Sequence, residues 1–107
     1  MMIFLRVGVL VLVMYSLALM TFGREEHSVH PDAGFVPDEA TATRIAEAIL
    51  IPIYGQIQVE AERPFSAKLT GSVWKVTGHL PPGVDGGVAE AWIEKRDGRI
   101  LRVTHGK

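Results

Sequence analysis

The chain has 107 residues, 21% of them charged, with a formal net charge of −1, a size that allows one domain at most. It contains no cysteine, which excludes disulfides, thiolate metal sites and a lipid-modified cysteine anchor. Charge is unevenly placed: residues 24–62 carry eight acidic and two basic side chains, and residues 63–107 carry four acidic and eight basic ones.

Residues 1–23 are almost wholly apolar, with a single charge at Arg6. Between Val7 and Phe22 only Tyr15, Ser16 and Thr21 carry polar groups. A short basic start, an apolar run and small or polar residues before a charged segment describe a secretory signal; Thr21-Phe22-Gly23 approximates its cleavage site, and Ala18 is the other candidate. The run also approaches the ~20 residues needed to span a bilayer, so an uncleaved membrane anchor is the other reading. Both engage the membrane or the export machinery. Both place the rest of the chain outside the cytoplasm, free in the periplasm or held at the inner membrane facing it. Residues 24–34 are polar and read as a linker. His27, His30 and Asp32 have some metal-ligand character, but Pro31 argues against the helix that would gather them, and no metal site is expected.

Residues 35–107 read as the domain. Pro37 to Ile51 has helical periodicity: Ala42, Ile45, Ala46, Ile49 and Leu50 share one face, while Thr41, Arg44 and Glu47 lie opposite. Pro37 suits a first helical turn, Asp38 and Glu39 suit the positive end of the dipole, and Pro52 is expected to end or kink the helix near Leu50 or Ile51. Gln56 to Arg63 reads as a short helical turn followed by extension into Pro64.

From Pro64 to Val103 the period changes to two. Phe65, Ala67 and Leu69 alternate with polar neighbours. So do Trp74, Val76, Gly78 and Leu80, then Ala89, Ala91 and Ile93, then Leu101 and Val103. Thr70-Gly71-Ser72 and Asp97-Gly98 are hairpin turns, and Pro81-Pro82-Gly83 with Gly86-Gly87 makes a longer connection. Helix followed by consecutive strands predicts an α+β fold, with the helix packed across one face of an antiparallel meander.

The chain carries no nucleophile-elbow, phosphate-loop or dinucleotide motif, and neither catalytic residues nor a cofactor are expected. Glu90 and Glu94 share the parity of Trp92 and would lie on the face away from the helix. His79 and His105 fall on different strands. Trp74 should point into the core and Trp92 away from it. An outward tryptophan on a sheet marks a second layer, a covering loop or a binding surface. Trp92, Tyr54, Glu90 and Glu94 are therefore the candidate partner-binding residues. The basic residues are not interleaved with aromatics along the chain, so nucleic acid is not the expected partner.

Several segments together carry a family resemblance: Val36-Pro37-Asp38-Glu39-Ala40-Thr41-Ala42, Ile45-Ala46-Glu47-Ala48, Pro52-Ile53-Tyr54-Gly55, Arg63-Pro64-Phe65, Trp74-Lys75-Val76-Thr77-Gly78, Gly86-Gly87 and Lys95-Arg96-Asp97-Gly98-Arg99-Ile100-Leu101. In this order they resemble a bacterial immunity-protein family with a nuclear-transport-factor-2-like fold. The resemblance runs from Phe35 to about His105. It implies a cone-like curved sheet with helix in its concavity, a cognate protein toxin as partner, neutralisation by binding, and no catalysis. Two other classes stand beside it. One is a small envelope domain resembling propeptide-type peptidase-associated domains, supported by the Asp97-Gly98-Arg99-Ile100-Leu101 hairpin. The other is a small-ligand binder using the cone, which needs an inward acid that the strand parity does not supply.

Overall fold

The computed structural model describes residues 27–106. The candidate export segment, residues 1–23, lies outside them. Among the described residues no helix is long and apolar enough to cross a membrane. The elements are α1 (Glu39–Tyr54), α2 (Gln56–Ala61), β1 (Ser66–Thr70), β2 (Val73–Thr77), β3 (Ala89–Glu94) and β4 (Ile100–His105). The strands form one antiparallel sheet in the order β1-β2-β3-β4, and α1 packs across one face of it.

Asp38 caps α1, its carboxylate accepting the Thr41 N–H at 2.8 Å, so Pro37 stands before the cap rather than in the first turn. The helix also continues past the expected stop and carries Pro52 inside it. Proline there removes one donor, the N–H that would reach the Ala48 carbonyl. Ala48 and Pro52 are both exposed, so water can satisfy that carbonyl. The helix ends at Gly55, whose N–H donates to Ile51 O at 2.8 Å. One face of α1 is buried at Ala42, Ala46 and Leu50, with Ile45, Ile49, Ile51 and Tyr54 packed partly against the same core.

Opposite it lie Trp74 and Val76 of β2 and Ala89, Ala91 and Ile93 of β3, all buried. The small residues Ala42, Ala46, Ala89 and Ala91 let helix and sheet approach closely, while Leu50 and Ile93 fill the volume. The β1–β2 hairpin is a two-residue turn in which Gly71 has φ 61° and Ser72 keeps a negative φ. β2 is shorter than its alternation suggests. Gly78 still donates to Ala89 O (2.9 Å), but His79 N–H turns to the Glu62 carbonyl (2.6 Å), so the chain leaves the ladder before Leu80. A second departure lies in β4: Trp92 pairs with Arg102 and Ile93 with Ile100, so Leu101 is bulged out of register and exposed instead of facing the helix.

The stretch before the helix is tied to the far end of the sheet. Phe35 N–H donates to Arg96 O at 2.9 Å and Val36 N–H to Lys95 O at 3.0 Å. The buried Trp74 indole N–H reaches Val36 O at 2.8 Å. Residues 31–34, read as linker, close a turn through Gly34 N–H on Pro31 O, and the Lys95 ammonium bonds Ala33 O.

Leu50 is fully buried at the helix–sheet contact. Leu50→Ala is expected to destabilise the domain by about 2–5 kcal/mol, read as a lower denaturation midpoint at unchanged slope. A midpoint equal to wild type would contradict the helix docking.

Candidate functional site

The two faces of the sheet offer different chemistry. The inner face and its margin contain a feature that strand parity missed: Glu62, just after α2, is only 3% exposed. Its Oε1 accepts the Ala89 N–H at 2.5 Å, and its Oε2 accepts the Gln58 amide at 3.0 Å and His105 Nε2 at 3.2 Å. His105 Nδ1 faces the Gly106 carbonyl at 2.9 Å, and its ring lies 5.2 Å from that of Tyr54, tilted by 57°. Gly78 backs onto this cluster. A Cβ there would stand 2.7 Å from Glu62 Oε1 and 3.1 Å from Phe65 Cε1. Burial pushes the Glu62 carboxyl up, but the Ala89 N–H, the Gln58 amide and His105 together hold it below its usual value.

A buried acid is the group that proton transfer needs, and its presence corrects the expectation that no carboxylate points inward. Its surroundings argue for a structural role. Both oxygens are engaged, Gly78 and Phe65 close over it, and it does not line the crevice formed nearby by His79, Leu80, Gly87, Val88, Thr104 and His105. Glu62 is a clasp joining α2, the start of β3 and the end of β4. Tyr54 belongs to this clasp through His105, so the structure separates it from the other three candidate binding residues.

Those three, Trp92, Glu90 and Glu94, lie together on the outer face, over which no other element of the described residues is layered. The register brings Lys68, Lys75, Trp92 and Arg102 into one cross-strand row, with Lys68 opposite Lys75, Lys75 opposite Trp92 and Trp92 opposite Arg102. The Lys75 ammonium stands 4.5 Å from the Trp92 ring centroid and the Arg102 guanidinium carbon 5.1 Å from it. Such contacts contribute about 0.5–1 kcal/mol each at exposed positions and fix the ring's orientation. The Trp92 indole N–H is buried and has no hydrogen-bond partner. Glu94 accepts from Ser72 Oγ at 3.3 Å. Glu90 and Glu94 stand four residues apart on one strand, roughly 13 Å, too far for two carboxylates to act on one bond. Cations and an aromatic are thus interleaved in space though not along the chain. Among the described residues no group of three or more His, Asp or Glu could hold a metal ion.

The described residues thus form an α+β domain, a helix laid across one face of a four-stranded antiparallel meander with an aromatic flanked by two cations on the other face. Residues 41–107 match the family described as NTF2 fold immunity protein, and the chain belongs to that family. It is also 37% identical over 73 residues to the uncharacterized protein YhhH of Escherichia coli (strain K12), covering 67% of this chain and 58% of that protein. The chain thus spans less than two thirds of that relative's length. No solved structure matches it.

Two predictions test the clasp. A carboxyl whose folded value is depressed stabilises the fold above its unfolded value, near 4.3, and loses that contribution as pH falls through the folded value. The melting-temperature gap between wild type and Glu62→Gln should therefore be widest near neutrality and close on acidification below about pH 4. A gap independent of pH would show that the ionised form contributes nothing. Gly78→Ala, which sets a methyl against the clasp, is expected to cost about 1–3 kcal/mol in chemical denaturation. A wild-type midpoint would mean that Glu62 can move aside freely.

Proposed function

We propose that the chain is an exported immunity protein that binds a cognate bacterial toxin and neutralises it by occlusion, with the outer sheet face around Trp92 as the contact surface. The observation that carries this reading is Trp92 itself. In a member of an immunity family, a half-buried indole is held between two cations at the centre of an open sheet face. Tryptophan and arginine are the residue types that most often dominate binding energy when centrally placed. Glu90 and Glu94 flank the indole along β3 and fit the polar rim of such a contact. The apolar run of residues 1–23 supports delivery to the periplasm, either released or anchored at the inner membrane.

Co-expression with candidate bacterial toxins is the direct test. The full chain is expected to restore growth, and failure to protect with a folded protein would sink the immunity reading. Trp92→Ala is expected to weaken toxin affinity about 30-fold while leaving the melting temperature close to wild type. A toxin bound equally well by that variant would leave the function standing and move the surface elsewhere. Export is checked separately by fusing alkaline phosphatase to the C-terminus, where an active fusion is expected and an inactive one contradicts a periplasmic location.

A further inference from the structure

We infer that the outer face recognises an acidic protein surface: the bound partner presents a row of aspartate and glutamate side chains to Lys68, Lys75 and Arg102, and a hydrogen-bond acceptor to the Trp92 indole N–H. This rests on the reading of that face as the toxin-binding surface, and names the chemistry the toxin must offer there.

The row is unneutralised. Among the described residues the ion pairs are Arg63 with Glu47 and Glu60, and His105 with Glu62; none involves Lys68, Lys75 or Arg102. Lys68 and Lys75 are direct cross-strand partners, and like charges placed opposite each other destabilise a sheet. Lys75 and Arg102 then converge on one ring from either side. Four adjacent strands set the row at roughly 14 Å, a span that two or three carboxylates on a partner strand or helix can match. The buried and unpaired Trp92 Nε1 is a second, independent deficit in the middle of this row. A partner carboxylate paired with Lys75 or Arg102 gains an ion pair beside the ring, and an acceptor that reaches Nε1 removes the second deficit.

Two other occupants fit less well. A nucleic-acid strand would want free aromatic faces on which to stack bases, whereas the ring is already flanked by cations. It would also meet Glu90 and Glu94, which sit on either side of the row and repel phosphates. A second copy docked face to face about Trp92 would lay one row of cations over the other. An acidic protein surface meets the cations, and it can place basic or hydroxyl groups over the two glutamates.

The test uses the full chain in a zwitterionic detergent, isotopically labelled, with the Trp92 indole resonance assigned through Trp92→Phe. A short poly-L-glutamate peptide is expected to shift that resonance at low ionic strength and to lose its effect as salt is raised. Silence at Trp92 overturns the proposal. A stronger response to a single-stranded oligonucleotide than to the peptide overturns it in favour of nucleic acid, and a dimer that hides Trp92 from the peptide overturns it in favour of self-association. These arms need no toxin, so they stand or fall apart from the immunity reading. With the toxin in hand, Lys68→Gln and Lys75→Gln are each expected to weaken affinity about tenfold, and Lys75→Glu more, with the fold retained. A toxin that protects cells and binds all these variants like wild type keeps the immunity function and refutes acidic recognition.

Discussion

The carboxylate of Glu62 is the constraint on which the arrangement of this domain turns. A charge taken out of water is tolerated only when it is bonded, and the bonds here come from separate parts of the chain. Gln58 belongs to α2, Ala89 opens β3 and His105 closes β4. The backbone carbonyl of the same residue takes the His79 N–H and so ends β2. One residue thus fixes where one strand stops, where another starts and where a third is fastened. The opposite end of the sheet has a neutral counterpart, in which the Trp74 indole ties the segment before α1 to the core. Between these two polar pins the helix is held by apolar packing, which has no direction of its own. The pins supply the orientation that the packing lacks.

This arrangement decides where binding can occur. The inner face is filled by α1, and the acid at its margin has both oxygens engaged. The outer face carries no comparable layer, and its polar groups are imperfectly matched. Hydroxyls line one end of it at Ser66, Thr77 and Thr104, while cations crowd the middle. The bulge at Leu101 lies between the Trp92–Arg102 and Ile93–Ile100 pairs, so the edge strand changes register beside the aromatic. Bulges commonly re-aim side chains in this way at the rim of functional surfaces. The consequence is a sheet whose closed face holds the fold together and whose open face is left to a partner.

How much of this was legible in the sequence differs element by element. The period-two alternation gave the four strands, their order and the opposite aims of Trp74 and Trp92, because the core of a small meander is set by parity alone. The helical face of Ala42, Ile45, Ala46, Ile49 and Leu50 is legible from spacings of three and four, with Ile45 and Ile49 packed at its margin. Pro52 does not stop the helix, because a proline's cost depends on whether the freed carbonyl meets water, and exposure is not written in the local sequence. Glu62 was missed because it follows Glu60 in a polar stretch and nothing in that spacing distinguishes the buried acid from the exposed one. The only available hints were distant: a glycine at position 78 where the alternation wanted an apolar residue, and alanines at 89 and 91 that leave room beneath. The cation row was invisible for a different reason. Lys68, Lys75 and Arg102 become neighbours only through strand register, and the bulge at Leu101 sets how Arg102 and the residues beyond it meet β3.

The state of the Trp92 face follows from the same economy of partners. Trp92 sits on β3, an inner strand laddered on both sides, so its backbone cannot shift to relieve the unpaired indole. The two flanking cations orient the ring, yet as donors they offer its N–H no acceptor. A fold optimised for its own stability would put a carboxylate opposite Lys68 or an acceptor near Nε1, since either change is small and local. Glu90 and Glu94 are close in sequence to the need, but they stand one pleat away on either side. The face therefore keeps a rigid aromatic, a missing acceptor and several uncompensated charges in one place. The missing acceptor and the charges are unfavourable in the free protein, and both are relieved by the same kind of contact. Such a surface loses little conformational freedom on binding, because its central side chain is already fixed, and it gains most from the partner that supplies the carboxylates it lacks.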